Sequence, residues 1–427
     1  DRMRVRGGIG RFSGGSPSVW ISNSYSNTGN NADDISGGDV IVPFTPDAAS
    51  GNYVPASVLT ELSTQSPDGF VAALSPDFAI PTTLKMNLGV AYDADLPVLG
   101  DGWTLTADAL YNVYENAPFW FDQSCIQTSG SPDGRPVFDC GGNGNPEAIV
   151  LTSVDEGESF LTAVSASKEW DTKFGDISLF AAYTYADVDD IGQGTSSTAT
   201  SNYSDTPRFS YQLAVPGTSN FETKHSLKLR LKWEDEIFGD NKTKVSLYGT
   251  RRSGQPYSYT FATTGRDDPF GIRENRADDA GALLYVPTGL NDPRFSADSF
   301  GGNAADQQAF FDYIAGSELA EYQGEIAPRN AFRSRCSSIF DLSLEQQLPG
   351  FRPGHKISLF FDMENIGNFI DSDWGVVERV RYEYEQQTAN ATIENGQYVY
   401  NRLDTSLNQE ILNASLWKTQ VGIKYKF

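Results

Sequence analysis

The last thirteen residues of the chain, 415 to 427, alternate between two kinds of side chain. One set is mainly apolar or aromatic: Trp417, Thr419, Val421, Ile423, Tyr425 and Phe427. The interleaved set is mostly charged or polar: Leu416, Lys418, Gln420, Gly422, Lys424 and Lys426. Successive side chains of a β-strand point to opposite faces, so this segment needs an apolar medium on one side and water on the other. That requirement is typical of a strand in a transmembrane β-barrel.

The same period of two recurs in earlier segments, which are therefore expected to be strands of the same sheet. Their apolar sets are Leu84, Met86, Leu88, Val90 and Tyr92; Trp103, Leu105, Ala107 and Ala109; Ile177, Leu179, Ala181, Tyr183 and Tyr185; Leu227, Leu229, Leu231 and Trp233; and Ile357, Leu359, Phe361 and Met363. A soluble β-sandwich would also alternate. Aromatic residues at the strand ends, where an interfacial girdle would require them, favour a membrane.

The alternation assigns a side of the sheet to each residue. The set expected to face lipid is Leu227, Leu229, Leu231, Trp233, Ile423, Tyr425 and Phe427. The set expected to face an aqueous lumen is Lys228, Arg230, Lys232, Lys424 and Lys426. Tyr425 and Phe427 also end the chain on aromatic residues, so we predict that they form the signal read by the barrel assembly machinery.

Composition supports a strand-rich membrane protein and argues against a nucleic-acid-binding one. The formal net charge is −24 at pH 7, whereas phosphate contacts require clustered Lys and Arg. Only 39% of the residues are hydrophobic. Because no run approaches the roughly 18 apolar residues of a membrane helix, passage through a membrane would have to be made by strands.

Short and long connections alternate between the expected strands. Segments 96–102, 170–175, 237–242 and 348–354 are rich in Gly, Pro, Asp and Asn and are predicted to be turns. The intervening connections are long: about 26–80, 115–158, 187–222, 252–335 and 366–412. Outer-membrane barrels have short periplasmic turns and long extracellular loops. The sequence thus predicts an all-β fold of about ten antiparallel transmembrane strands in the bacterial outer membrane, beginning near 4–12.

Five segments in succession resemble the C-terminal half of an Oar-type TonB-dependent outer-membrane receptor. They are GGIGRFSGGSPSVWISNSYSNTG at 7–29, RSGQPYSYT at 252–260, ALLYVPTGLNDPRF at 282–295, FFDYIAGSELAEYQGEIAPRNAFRSR at 310–335, and 355–371 with FFDMENIGNFID. The resemblance implies that residues 1–427 are part of a larger, 22-stranded barrel. It further implies an N-terminal plug outside this chain and energy-coupled uptake of a substrate too large or too scarce for porins.

The same resemblance implies partners. These are outer-membrane lipid and lipopolysaccharide, the barrel assembly machinery, the N-terminal half of the same receptor, and TonB acting through the plug. The chain begins Asp-Arg-Met with no signal peptide, so it is expected to be a processed product or a fragment. Two alternatives stay open: a non-transporting outer-membrane barrel that serves adhesion or an envelope complex, and a barrel enzyme. We expect no enzyme activity.

The sequence offers few residues for metal or catalytic chemistry. His225 and His355 each adjoin a charged strand and are expected to be strand-end residues rather than catalytic bases. The acidic run with Asp187, Asp189, Asp190 and Gly192 resembles the start of a calcium loop. Thr198 stands where a bidentate Glu is expected, however, so a solvated acidic loop is favoured. We expect no metal and no cofactor.

Cysteine placement predicts one disulfide. Cys125 and Cys140 fall within one long extracellular loop and in an oxidising compartment, so we expect them to be bonded, with two free thiols as the alternative. Cys336 is left over, either unpaired or paired outside this chain.

Candidate ligand contacts lie where strands enter the long loops. They are Phe119, Trp120, Phe121, Arg251, Arg252, Tyr257 and Tyr259. The alternative is that they form an aromatic girdle and anchor the strand ends. Residues 306–317 are predicted to form a short amphipathic helix in the loop layer. Finally, ten strands would close only a narrow barrel. We therefore expect the first and last strands to pair with further polypeptide rather than with each other.

Overall fold

A computed structural model describes residues 2–29, 71–140, 148–192, 194–262, 270, 281–407 and 409–427. Ten long strands make one antiparallel sheet, the wall. In chain order they are β1 (Met3–Ser13), β2 (Thr82–Leu96), β3 (Gly100–Glu115), β4 (Glu158–Thr172), β5 (Gly175–Asp190), β6 (His225–Phe238), β7 (Asn241–Arg252), β8 (Ser337–Pro349), β9 (Lys356–Glu364) and β10 (Lys418–Lys426).

Each wall strand pairs with its neighbours in sequence, so the wall is a simple meander. The turns at 97–99, 173–174, 239–240 and 350–355 are short, whereas the connections 14–81, 116–157, 191–224, 253–336 and 365–417 are long. These five connections are called the first to fifth loops. The predicted all-β antiparallel class is confirmed, with about ten strands and alternating short and long connections.

The two outermost strands do not pair with each other among the described residues. β1 pairs with β2, from Met3 opposite Tyr92 to Ser13 opposite Thr82. β10 pairs with β9, from Lys418 opposite Glu364 to Lys426 opposite Lys356. Each strand therefore has its second edge open in the described part of the chain, as expected from the sequence.

Strand register gathers the apolar side chains on one face of the wall. One continuous row crosses six strands through Ile177, Trp233, Val245, Leu344, Phe361 and Val421. The next row begins with Leu179 opposite Leu231 and Leu231 opposite Leu247. Because side chains alternate along a strand, Lys228, Arg230 and Lys232 lie on the opposite face.

The hydrophobic core of the described chain lies in the loops rather than in the wall. Its fully buried members include Tyr203 from the third loop, Leu284 and Phe310 from the fourth, and Tyr400 from the fifth. The five loops therefore pack against one another as a single loop layer. No helix of the described residues is both long and apolar enough to cross a membrane.

The loop layer is built from short elements. Its α-helices are α1 (Ser18–Ser26), α2 (Ala199–Ser204), α3 (Ala304–Gly316) and α4 (Ile366–Ile370), and its 3₁₀ turns are Ser299–Gly302, Glu318–Tyr322 and Asn413–Ser415. Its strands are Val71–Leu74, Ala117–Asp122, Ile126–Gly130, Pro136–Asp139, Ala148–Val154, Gly217–Thr218, Pro256–Phe261, Phe332–Arg333, Glu378–Val380, Glu385–Glu394, Gln397–Leu403 and Gln409–Ile411. Gly217–Thr218 pairs with the end of wall strand β5, and the other strands form small sheets, two of which contain a parallel pair.

Helix α3 confirms the amphipathic segment expected at 306–317. The side chain of Asn303 caps its first turn by accepting a hydrogen bond from the backbone N–H of Ala305 at 3.0 Å. Gln307, Phe310 and Ile314 are buried, at the i, i+3 and i+7 spacing of one helix face. The helix thus packs that face into the core of the loop layer.

Candidate functional site

The apolar face of the wall is a large exposed surface of the described chain. Exposed members from different strands include Val5 at 58%, Leu88 at 57%, Val164 at 47%, Leu227 at 48% and Ile423 at 71%. Ten strands are separated by nine spacings of about 4.8 Å, and about six residues of each strand, at about 3.3 Å per residue, carry the apolar face. The product of this width and this height is an area on the order of 800 Å². Soluble monomers rarely expose more than a few hundred Å² of contiguous apolar surface. The face therefore requires an apolar covering.

Aromatic and basic side chains mark the turn end of the apolar face. Trp103 and Trp170 meet edge to face with their rings 5.7 Å apart. The ammonium of Lys168 lies within 5.5 and 5.1 Å of these two rings and donates a hydrogen bond to the carbonyl of Leu99 at 2.9 Å. Tryptophan and snorkelling lysine are typical of a membrane–water interface.

Both histidines lie at strand ends, each beside a tyrosine. His225 Nδ1 is 2.8 Å from the hydroxyl of Tyr183 at the loop end of the wall. His355 Nδ1 is 2.6 Å from the hydroxyl of Tyr425 at the turn end. The structure thus places both imidazoles in aromatic surroundings at opposite ends of the strands, where they contribute to the rims of the apolar face.

The opposite face of the wall is charged and polar. Arg6 of β1 forms an ion pair with Asp108 of β3 at 2.7 Å, across the intervening strand β2. Lys232 Nζ lies 2.7 Å from Glu234 on the same strand. Lys424 lies 4.7 Å from the ring of Phe360. Such a face is suited to water, so the two faces of the wall differ in the surroundings that they favour.

A fully buried ion pair ties three loops of the loop layer together. Arg135 Nη2 lies 2.6 Å from Asp133 Oδ2, and the two side chains are 0% and 2% exposed. Arg135 also donates to the carbonyl of Leu283 at 2.8 Å, and the hydroxyl of Tyr398 donates to Asp133 at 2.7 Å. The guanidinium lies 4.0 Å from the ring centre of Phe270. The pair joins the second loop to the fourth and the fifth.

Electrostatics keep this pair charged. Burial acts to raise the pKa of Asp133, but the charge and hydrogen bonds of Arg135 outweigh it, so the pKa lies below its ordinary value. No sequence signal indicated this contact, because Asp133 and Arg135 stand in an ordinary Gly- and Pro-containing turn and their partners are far away in sequence.

A second cluster of arginines joins the third loop to the fourth. Arg329 Nη2 lies 2.6 Å from Asp190 Oδ1. Arg208 is buried and stacks 5.3 Å from Phe119, and burial lowers its pKa to about 10. Among the described residues, its Nε and Nη1 have no hydrogen-bond partner. A buried guanidinium with two unmatched donors is costly, so the loop packing around it must be strongly favourable.

The three carboxylates of the acidic run lie at the end of wall strand β5, not in the acidic loop predicted for them, and two of them are paired with cations. Asp187 Oδ1 lies 3.4 Å from Lys224 Nζ, and Asp190 accepts hydrogen bonds from the backbone of Gly192 and from Arg329. Within the described ranges, no group of three His, Cys, Asp or Glu side chains is placed to hold a metal ion.

The structure separates the candidate ligand contacts into two groups. Phe119, Trp120, Tyr257 and Tyr259 are 3–6% exposed, and their rings pack on other aromatics such as Trp20 and Phe332. Arg251 and Arg252 are exposed, and Phe121 is half-buried. The four buried rings anchor the loop layer, which is the alternative considered for them above. Ligand contact stays a prediction, and it applies best to Phe121 and Arg252, because Arg251 stands opposite Leu227 on the apolar face.

The remaining sequence-selected residues lie in the second loop and at the ends of wall strands. Cys125 and Cys140 form a disulfide within the second loop, the pair expected from the sequence. Cys336 is a free, exposed thiol one residue before β8. Tyr425 is 42% exposed and Phe427 is 92% exposed at the turn end of the last strand. Their role in assembly stays a prediction.

Comparison with known proteins gives distant structural similarity only. No protein-family model and no curated protein matches the chain. Among solved structures, the outer membrane transporter YddB from Escherichia coli is similar with 11% sequence identity and a TM-score of 0.43. The match covers 99% of this chain and 38% of that chain, so this chain spans less than two fifths of the transporter's length. A similarity this distant assigns neither fold nor function.

Proposed function

We propose that this chain forms part of the wall of a transmembrane β-barrel in the bacterial outer membrane. One observation carries the proposal: the ten-stranded sheet has an uncovered apolar face on one side and a charged face on the other. Wall strands of 9 to 16 residues are long enough to cross the hydrocarbon core of a bilayer. The aromatic residues at both strand ends support the same placement.

The proposed barrel includes strands beyond the ten of this wall. Hydrocarbon offers no hydrogen-bond partner to an open sheet edge, so the outer edges of β1 and β10 must be paired in a membrane. We propose that the N-terminal half of the same receptor supplies these strands and closes a barrel of about 22 strands. A ladder between β1 and β10 would instead have favoured the non-transporting alternative, and the described residues form none.

Within that barrel we propose the function of a TonB-dependent receptor for energy-coupled uptake. The support is the succession of five segments that resembles Oar-type receptors, together with a charged inner face suited to a wide aqueous lumen. The plug, TonB, the barrel assembly machinery and lipopolysaccharide are the proposed partners. Phe121 in the second loop and Arg252 at the loop end of β7 are the proposed ligand contacts, because their side chains remain accessible. Arg251 stands opposite Leu227 and so lies at the rim of the apolar face.

Cysteine accessibility in native membranes tests the membrane assignment. Single cysteines are placed on neighbouring residues of β6, as Leu229→Cys and Arg230→Cys, in a background that carries Cys336→Ser. Position 229 should react with a membrane-partitioning maleimide and resist a charged one, whereas position 230 should show the reverse. Equal reaction of both positions with the charged reagent would contradict the proposal. The matched positions differ by one residue, so local stability is nearly the same for both.

A further inference from the structure

The loop layer contains a polar pocket outside every candidate site selected from the sequence. Its volume is about 480 Å³, within the range of small-molecule sites. The fifth loop forms its walls, through the turn at Tyr382, the start of the strand Glu385–Glu394, and the turn at Asp404 and Ser406. The strand Pro256–Phe261 of the fourth loop pairs with that wall, Tyr259 opposite Gln386. The pocket is therefore built on paired strands.

One wall residue is fixed by contacts inside the loop layer. Gln386 is 3% exposed, and its amide nitrogen donates to the backbone carbonyls of Gln387 and Asp404 at 3.3 and 3.1 Å. Gln386 therefore holds the start of its strand against the turn at Asp404.

Other walls are held in place by contacts within the loop layer. Asp404 accepts a hydrogen bond from the backbone N–H of Ser406 at 2.9 Å. The ring of Tyr382 is 50% exposed, while its hydroxyl donates to Asp205 of the third loop at 3.2 Å. A half-exposed ring fixed at its polar tip offers a flat surface to a ligand.

The charge of the lining limits the ligand. Three acidic side chains and one arginine face the pocket, so an anionic ligand is disfavoured. The carboxylates of the lining accept hydrogen bonds, and its carboxamides both donate and accept them. A polyhydroxylated ligand matches this set, because each hydroxyl both donates and accepts. A tyrosine ring adds a surface for the apolar C–H face of a sugar.

We infer that this pocket binds a neutral saccharide through the ring of Tyr382 and the carboxylate of Asp404. The inference names a substrate class for the proposed receptor and rests on that function only for the biological role of binding. The hydrogen-bonding and aromatic chemistry of the pocket does not depend on the membrane.

Titration calorimetry of the purified full chain in detergent tests the inference. The neutral probes are maltotetraose, cellotetraose and xylotetraose, and the comparison probes are tetra-alanine amide and citrate. At least one saccharide should bind, and Tyr382→Ala and Asp404→Asn should each weaken it at least tenfold. Tyr382→Phe keeps the ring and should lose less than Tyr382→Ala. Tyr25→Ala and Asp298→Asn, changes of the same kind at exposed positions of the loop layer, should leave affinity unchanged.

Several outcomes would overturn the saccharide site. They are binding of none of the three saccharides, tighter binding of the peptide or of citrate, or equal weakening by the control variants. The comparison of Tyr382→Phe with Tyr382→Ala still decides the matter if Asp404→Asn fails to fold. Membrane labelling separates this result from the proposed function. Saccharide binding without membrane insertion would contradict the proposed receptor function but not the saccharide site. Membrane insertion without saccharide binding would contradict the saccharide site but not the receptor function.

Discussion

Replacing Arg135 by Met tests whether the buried ion pair holds the loop layer together. The change leaves the carboxylate of Asp133, 2% exposed, without its cation and leaves the carbonyl of Leu283 without the donor seen at 2.8 Å. Removing one partner of a buried pair costs about 3–5 kcal/mol. Because Ser131 and Tyr398 still donate to Asp133, we expect the lower end, about 3 kcal/mol.

Hydrogen exchange measured by mass spectrometry is the assay, because it follows the loop layer and the wall separately. Arg135→Met should speed exchange in the second, fourth and fifth loops by roughly 100-fold, which corresponds to about 3 kcal/mol of local stability. Exchange in the wall strands should change little. The double variant Asp133→Leu with Arg135→Met should recover much of the loss, since replacing a buried pair by apolar side chains is often nearly neutral.

The matched control is the more exposed ion pair between Arg379 and Glu410, whose side chains are 39% and 31% exposed. Arg379→Met should cost about 0–1 kcal/mol because solvent screens such pairs. If Arg135→Met lowers the local stability of the loops no more than this control does, the buried pair does not hold the loop layer together. The same conclusion follows if the double variant is as unstable as the single one.

Four further predictions follow from the same structure. Because the pKa of Asp133 is lower in the folded state, the stabilisation by its carboxylate should be fully present above about pH 4 and should be lost as pH falls through the folded pKa. Hydrogen exchange in the loops, measured from pH 6 to pH 3, checks this, and an exchange rate that does not depend on this change in protonation would contradict it. Cys140→Ser opens the loop closed across 15 residues and should destabilise the second loop by about 3 kcal/mol, whereas unchanged protease resistance of that loop would argue against it. Phe427→Ala should lower the amount of heat-resistant folded protein in the outer membrane, and normal levels would refute an assembly role. Lys168→Met should leave the carbonyl of Leu99 without its donor and make the turn more mobile. Hydrogen exchange at residues 97–99 should therefore be faster, and exchange as slow as in the wild type would contradict the interfacial role of Lys168.

The wall could be predicted from the sequence because its information is local. Side chains of a strand alternate with a period of two, so a row such as Leu227, Leu229 and Leu231 defines an apolar face without knowledge of any neighbour. Short Gly- and Asp-rich turns then force consecutive strands into antiparallel pairs. The strand count and the order of pairing follow from these two rules.

The packing of the loop layer depends on tertiary contacts that the sequence pattern does not reveal. An aromatic residue in a loop can contact a ligand or pack in a core, and the sequence does not distinguish these two roles. In this structure, contacts between different loops bury Phe119, Trp120, Tyr257 and Tyr259. The pairing of Arg135 with Tyr398 spans 263 residues, and no periodicity encodes such a contact. Burial in a loop depends on which distant loops cover it, because loops have no repeating geometry that fixes a side chain's direction. The sequence alone therefore determined the wall, while the packed loops and their polar pocket exist only through long-range contacts.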